Sequence, residues 1–199
     1  MRPLDCPATA LMTVQICLPH TPDRPTLERF VKDIFWHHHH AKVEHFYNTL
    51  LALRSADGEL CGVTGYSLAG TKPMFLEQYL DEPVEALASR VCSQRIERKQ
   101  IVEVGNMACS TLGGARMLIQ QLTAHLHSES HPWVVFTATR TLLNSFKRLG
   151  LNPVVLAPAR RERVYQPENW GHYYDEQPMV VLGNVQAGAK LLRSKPWTI

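Results

Sequence analysis

Apolar positions along the chain switch between strand and helix spacing, and the clearest switch lies near the middle. Ile101 to Met107 carries β-branched Ile101, Val102 and Val104 and predicts a strand. From Ala115 onward, Leu118, Ile119, Leu122 and Leu126 recur at spacings of three and four, which predicts a helix with one apolar face. Gly113 and Gly114 join the two and permit φ > 0 in a tight turn. A strand that opens through glycines into a helix presents unpaired N–H groups at the positive end of the helix dipole, a seat for a pyrophosphate or another anion. Glu103 interrupts the apolar strand. It is either an ordinary half-exposed side chain, a partner for a cation such as Arg98, or a group with chemistry to do.

The same reading orders the rest of the chain. Met1 to Ala10 reads as a frayed leader, with residues 1–11 apart from the fold, and Val14 to Leu18 as a first strand. A helix runs from Thr26 to about His39, with Asp23 as its cap and Pro25 in its first turn. Tyr47 to Arg54 and Leu60 to Leu68 form a hairpin around Asp57-Gly58, and Gly62 and Gly65 suggest a bulge or a close backbone approach. Two short helices follow, Met74 to Leu80 and Pro83 to Cys92, whose apolar residues form either plain core or the lining of a slot. Trp133 to Ala138 is an apolar strand, Thr139 caps a helix from Arg140 to Leu149, and Gly150 ends it. Pro153 to Leu156 and Pro178 to Leu182 are strands, and Val185 to Leu192 a last helix. This order predicts a mixed α/β fold in one domain, 1–199, with strand–helix crossovers in the second half.

Composition narrows the setting. A formal charge of +3 over 199 residues lacks the concentrated basic stripe of a nucleic-acid binder. Five cysteines with no CxxC pair predict reduced thiols, and hence a cytoplasmic protein. No apolar run is long enough to span a bilayer, and no secretory signal is evident. His37 to His40 could place at most two imidazoles on one metal, since helix neighbours diverge by about 100°. A polar helix end forming one wall of a cleft is the expectation, with no metal site. Cys109 beside a helix start is either an activated thiol or an inert buried one.

Four blocks carry a resemblance: Leu76-Glu77-Gln78-Tyr79-Leu80-Asp81, Ile101-Val102-Glu103-Val104-Gly105-Asn106-Met107-Ala108, Trp133-Val134-Val135-Phe136-Thr137-Ala138-Thr139 and Trp170-Gly171-His172-Tyr173-Tyr174. In this order, over about residues 12 to 190, they resemble the bacterial thermostable hemolysin family. That family is similar in fold to the GCN5-related N-acetyltransferases (GNAT) and to the acyl-homoserine lactone synthases. The resemblance implies a central mixed sheet whose strands splay, flanked by helices, with an acyl thioester in the splay. It also implies an acyltransferase that takes an acyl group from acyl-CoA or an acyl carrier protein to a small amine.

Ser110-Thr111-Leu112-Gly113-Gly114-Ala115 resembles the pyrophosphate loop, but Ser110 stands where that pattern has a long polar side chain, which argues against a tightly held coenzyme. Thr139 and Asn144 belong to the implied donor site, Asn144 on the pantetheine arm. Glu103 is the expected base, the N–H groups around Asn106, Met107 and Ala108 face the thioester carbonyl, and Tyr173 or Tyr174 is the acid. The lactone synthases carry an arginine after their strand glutamate. Gly105-Asn106 lies here instead, so S-adenosylmethionine is not implied. Two other readings stay open: direct action on membranes, as the family's name suggests, and a non-catalytic acyl-binding module.

Overall fold

A computed structural model describes residues 12–110 and 113–194; the expected leader, 1–11, lies outside them. Seven strands form one sheet: β1 (Thr13–Cys17), β2 (Thr49–Arg54), β3 (Leu60–Leu68), β4 (Ile101–Cys109), β5 (Trp133–Ala138), β6 (Val154–Pro158) and β7 (Met179–Asn184). Their spatial order is β1-β2-β3-β4-β5-β7-β6. Every neighbouring pair is antiparallel except β4 and β5, which run parallel. The helix between those two, α3 (Gly114–Ser128), supplies the crossover that a parallel pair requires. The expected mixed α/β architecture is present, with strands and helices in the order read from the pattern.

Alternation along the strands distributes the core to both faces. Leu50, Ala52 and Val63 turn to one face, under Leu27 and Val31 of α1 (Arg24–His39). Ile101, Val135 and Val180 pack on Leu76, Val84 and Leu87, contributed by the 3-10 turn Phe75–Tyr79 and by α2 (Val84–Cys92). Leu51, Val102, Val104 and Val181 face Leu118, Leu122 and Leu126 of α3 and Val185 of α5 (Val185–Arg193). Burying one such side chain stabilises by about 1.5–3 kcal/mol, so these interlocked layers fix the sheet. Val91 is exposed, so only part of the suspected slot in α2 is core.

Local signals fared well where they depend on neighbours in sequence. Thr139 caps α4 (Arg140–Leu149) through its side chain, which accepts the Leu142 N–H, and Gly150 ends it at φ 79°. Asp23 precedes α1 but makes no cap hydrogen bond, because its carboxylate pairs with Arg54 of β2. The strand expected to begin at Tyr47 begins at Thr49, which leaves Tyr47 in a loop.

Candidate active site

The sheet parts beside β4. β4 and β5 pair from Ile101 opposite Trp133 to Val104 opposite Phe136; beyond that point both strands continue but no longer pair with each other. On its other side β4 is bulged. Val63 faces Ala108 and Gly65 faces Gly105, so Asn106 and Met107 both stand against Thr64. Asn106 takes φ 51°, a left-handed conformation that asparagine tolerates better than most residues. The extra residue of a bulge is withdrawn from the ladder and the strand bends. It also shifts the alternation: Val104 packs on the α3 side, whereas Ala108 packs beneath α1.

A cavity of about 430 Å³ fills the parting. Val104 to Met107 form one side and Phe136, Thr137 and Thr139 the other. The end of α1 and the aromatic residues Tyr47, Phe75, Tyr79, Trp170 and Tyr173 close it. A second cavity of about 300 Å³ lies among α3, α4 and α5 and shares Val104, Met107 and Phe136 with the first. Its wall is mostly apolar, including Ile119, Leu122, Phe146 and Leu191.

Glu103 sits in the paired part of the β4–β5 ladder, one residue before its last pair, and is 2 % exposed. Its carboxylate accepts the N–H of Phe75 at 2.9 Å and of Leu76 at 2.7 Å, and a hydrogen bond from Tyr47. Arg98 grips Glu77 of the same 3-10 turn through two nitrogens, at 2.6 and 2.7 Å, and so is not the partner of Glu103. Burial is the largest influence on Glu103 and pushes its carboxyl up to about 7, against the pull of its donors. Glu103 is not among the cavity-lining residues; Tyr47 is, and its phenol stands next to that carboxylate. Desolvation first, and then Glu103, hold the Tyr47 hydroxyl well above its ordinary range, so it is protonated and can relay a proton.

Tyr47 fits there because two glycines make room. Gly65 and Gly105 are cross-strand partners. A Cβ at Gly105 would lie 2.6 Å from Tyr47 Cε2, and one at Gly65 would lie 3.0 Å from Tyr47 Cβ. Asn106 then fastens the preceding loop: its amide donates to the His45 carbonyl at 3.1 Å, and its Oδ1 accepts the Tyr47 N–H at 3.4 Å. Asn106 therefore contributes a bulged backbone to the cavity and a side-chain fastening outside it.

The Trp170-Gly171-His172-Tyr173-Tyr174 block docks on the end of α1. His172 N–H donates to the His39 carbonyl at 2.7 Å, and a Cβ at Gly171 would fall 2.1 Å from that oxygen. This contact carries Tyr173 into the cavity wall, stacked on Phe35 and edge-on to His39. Tyr174 instead pairs its hydroxyl with that of Tyr79 at 2.5 Å and is not among the lining residues. Burial raises both phenols, Tyr174 to about 12.

The expected donor residues divide. Met107, Ala115 and Thr139 line the cavity, Gly113 takes φ 81° at the start of α3, and Gly114 is buried there. Thr111 and Leu112 of the same loop lie outside the described residues. Ser110 turns away, its hydroxyl reaching the Cys61 carbonyl at 3.3 Å. Asn144 is exposed and off the wall, where Thr141 and Ser145 stand instead, and Ala108 is buried under α1. Burial pushes the Cys109 thiol up to about 12, which fits an inert thiol rather than a nucleophile. His37 to His40 gather into no metal-binding group among the described residues; His38 and His39 form cavity wall. The pattern missed Tyr47, Glu44 and Glu176. Tyr47 had one signal, a glycine in each of two strands at a position where a bulky ring has to pass.

Comparison with solved structures agrees on the architecture. The chain is similar to BjaI, a CoA-dependent acyl-homoserine lactone synthase solved with SAM and isopentyl-CoA, at 14% identity and TM-score 0.63 over 92% of this chain and 88% of that one. It is similar to FeeM, an N-acyl amino acid synthase from uncultured soil microbes, at 13% identity and TM-score 0.62 over 90% and 93%. A GCN5-related N-acetyltransferase from Kribbella flavida shares the fold at 11% identity and TM-score 0.51 over 86% and 97%. No curated protein matches the chain. Among the described residues no helix is long and apolar enough to cross a membrane. The sequence pattern of the thermostable hemolysins matches residues 17–189, and the chain belongs to that family.

Proposed function

We propose that this protein transfers an acyl group from a thioester, acyl-CoA or acyl carrier protein, to a small amine. The observation that carries the reading is the parting of β4 from β5 at a bulge, with a cavity running from it to Tyr47 and the Glu103 carboxylate behind. The thioester carbonyl lies against the bulge at Asn106 and Met107, where main-chain N–H groups released from the ladder stabilise its oxyanion. The pantetheine arm enters past Thr139 and the start of α3, and the acyl chain runs on between Met107 and Phe136 into the apolar second cavity. The similarity in fold to acyl-homoserine lactone and N-acyl amino acid synthases supports an amine acceptor.

The amine nitrogen attacks the carbonyl carbon, the C–N bond forms and the C–S bond breaks. The nitrogen's proton passes to the Tyr47 oxygen as the Tyr47 proton passes to Glu103. A carboxyl near neutrality is well matched to accept it. The departing thiolate takes a proton, which Tyr173, one of three phenols on the wall with Tyr47 and Tyr79, supplies. Glu103 thus acts through Tyr47 rather than on the substrate.

The test supplies acyl-CoA and acyl carrier protein thioesters of graded chain length with a set of amines, and reads free thiol and product mass. Amine-dependent thiol release is the expected result. Thioester binding seen by native mass shift without release would mark a binding module instead. Lysis of red cells by purified protein, with neither thioester binding nor turnover, would favour direct action on membranes.

A further inference from the structure

Rings are not spread evenly around the first cavity. Towards β5 and α4 its wall carries hydroxyl groups, from Thr137, Thr139, Thr141 and Ser145. Towards α1 it carries a continuous belt of rings. Tyr47 meets His45 at 5.5 Å between ring centroids, and His45 stacks on Phe75 at 5.4 Å. Phe75 meets Trp170 at 5.7 Å, Trp170 meets Tyr173 at 5.3 Å, and Tyr173 stacks on Phe35 at 6.4 Å. All six line the cavity, and they come from four separate stretches of chain. Each spacing lies within the range of favourable ring contact.

Tyr47 is both the first ring of this belt and the group that takes the acceptor's proton. An amine nitrogen within reach of its hydroxyl therefore carries its substituent among rings. Positive charge is sparse there. Burial lowers His39 and His45 below the ordinary histidine value, so both are largely neutral at neutral pH. No Lys or Arg stands among the described lining residues; Lys72, whose charge bears on His45, donates to Asn48 Oδ1 at 3.2 Å. The lining carboxylates are Glu44, which is exposed, and Glu176, which is half-buried. A carboxylate on the acceptor would find no cation in this wall, and burying it unpaired is costly. A flat apolar ring would gain twice, from burial and from ring–ring contact.

We propose that the acceptor is an arylalkylamine without a carboxylate, its ring against Phe75, Trp170 and Tyr173 and its nitrogen at Tyr47. This rests on the acyltransferase reading above and names the substrate class of that site. The amine attacks as the free base. The C–N bond forms as the C–S bond breaks, the nitrogen's proton passes through Tyr47 to Glu103, and the thiolate leaves with a proton from Tyr173. The product is an uncharged N-acyl arylalkylamide.

The experiment holds one acyl-CoA constant, chosen because it gives a native mass shift, and compares 2-phenylethylamine, 2-cyclohexylethylamine and phenylalanine. The first two share their carbon skeleton and differ in flatness and π-character; the third adds a carboxylate. The belt predicts kcat/KM for the phenyl amine about 3–10-fold above the cyclohexyl amine. It predicts roughly 10²-fold or more above phenylalanine. In Trp170→Leu the phenyl advantage over cyclohexyl falls to roughly twofold or less, chiefly through KM, as expected when uniform binding is lost. Equal use of the two amines by the wild type, or phenylalanine used as well as the phenyl amine, overturns the proposal and leaves acyl transfer standing. So does an undiminished phenyl advantage in Trp170→Leu. Absence of any thioester binding overturns both. Should Trp170→Leu fail to fold, Phe75→Leu asks the same question of the neighbouring ring, and the wild-type series decides by itself.

Discussion

Ile101–Val104 and Gly105–Cys109 belong to one strand and do opposite work. The first half is paired on both sides, with Ile101 and Val102 fully buried, and behaves as sheet core. The second half is paired on one side only, is bent by a bulge and lines a cavity. Glu103 lies in the first half yet serves the second, because Tyr47 reaches over Gly105 to meet it. The difference teaches that the rigid half supplies position and the open half supplies access. An acid buried in the closed ladder can be tuned by desolvation, whereas one on the open wall would be wetted.

The largest effect that separates the halves is on stability. Ile101 is fully buried between α2 and the sheet, so Ile101→Ala is expected to cost about 2–5 kcal/mol in urea unfolding. At temperatures where the variant stays folded, turnover per folded molecule should remain within about threefold of wild type. A loss of turnover as large as that from changing Glu103 would break the comparison, since it would make the first half part of the chemistry.

Glu103→Gln comes next. Turnover is expected to fall by roughly 10²-fold. The wild-type rate should rise with pH through about 7, as the carboxyl loses its proton, and the variant should lack that limb. Stability runs the other way. The folded carboxyl holds its proton to about 7, against 4.5 for an ordinary glutamate, so the unfolded chain loses the proton first as pH rises. Wild-type stability should therefore decline between those values, by at most ~3.5 kcal/mol at about 1.4 kcal/mol per unit. The variant should show a flatter profile in urea titrations at pH 5 and pH 8. It should also be ~1–3 kcal/mol weaker at pH 5, because the amide has one acceptor oxygen, and its NH2 group cannot accept the second of the N–H groups of Phe75 and Leu76. A variant with undiminished turnover would reject the relay, and one with the wild-type slope would place the titrating group elsewhere.

What the pattern could and could not disclose follows the same division. β4, the turn at Gly113, α3, β5 and the capped α4 were legible because each is decided by residues a few positions apart. Glu103 was legible as an oddity, a charge within an apolar strand. Its orientation was not, since that depends on the 3-10 turn at Phe75, 28 residues away, whose N–H groups it accepts. The bulge had no periodic signature; Asn106 at φ 51° is a tolerance that a single asparagine does not announce. Asn144 was placed by likeness to another loop-and-helix, and the turn of α4 points Thr141 and Ser145 inward instead. Glu44, Tyr47 and Glu176 lie in or beside loops brought together only when the strap at 169–172 docks on α1.

Tyr47→Phe sharpens the comparison with the smallest change, one oxygen. The ring keeps its place between Gly65 and Gly105, so unfolding should move by about 1 kcal/mol or less. Turnover should fall about tenfold, less than for Glu103→Gln if a water can enter where the hydroxyl stood and carry the proton across. The hydroxyl stabilises the ionised carboxylate, so its loss raises the Glu103 carboxyl further, and the acidic limb of the rate profile should move to higher pH. A pH–rate series on the two proteins reads this directly. A limb that stays in place or moves to lower pH would mean that Tyr47 does not stand between the cavity and Glu103, and the division of labour along β4 would have to be drawn without it.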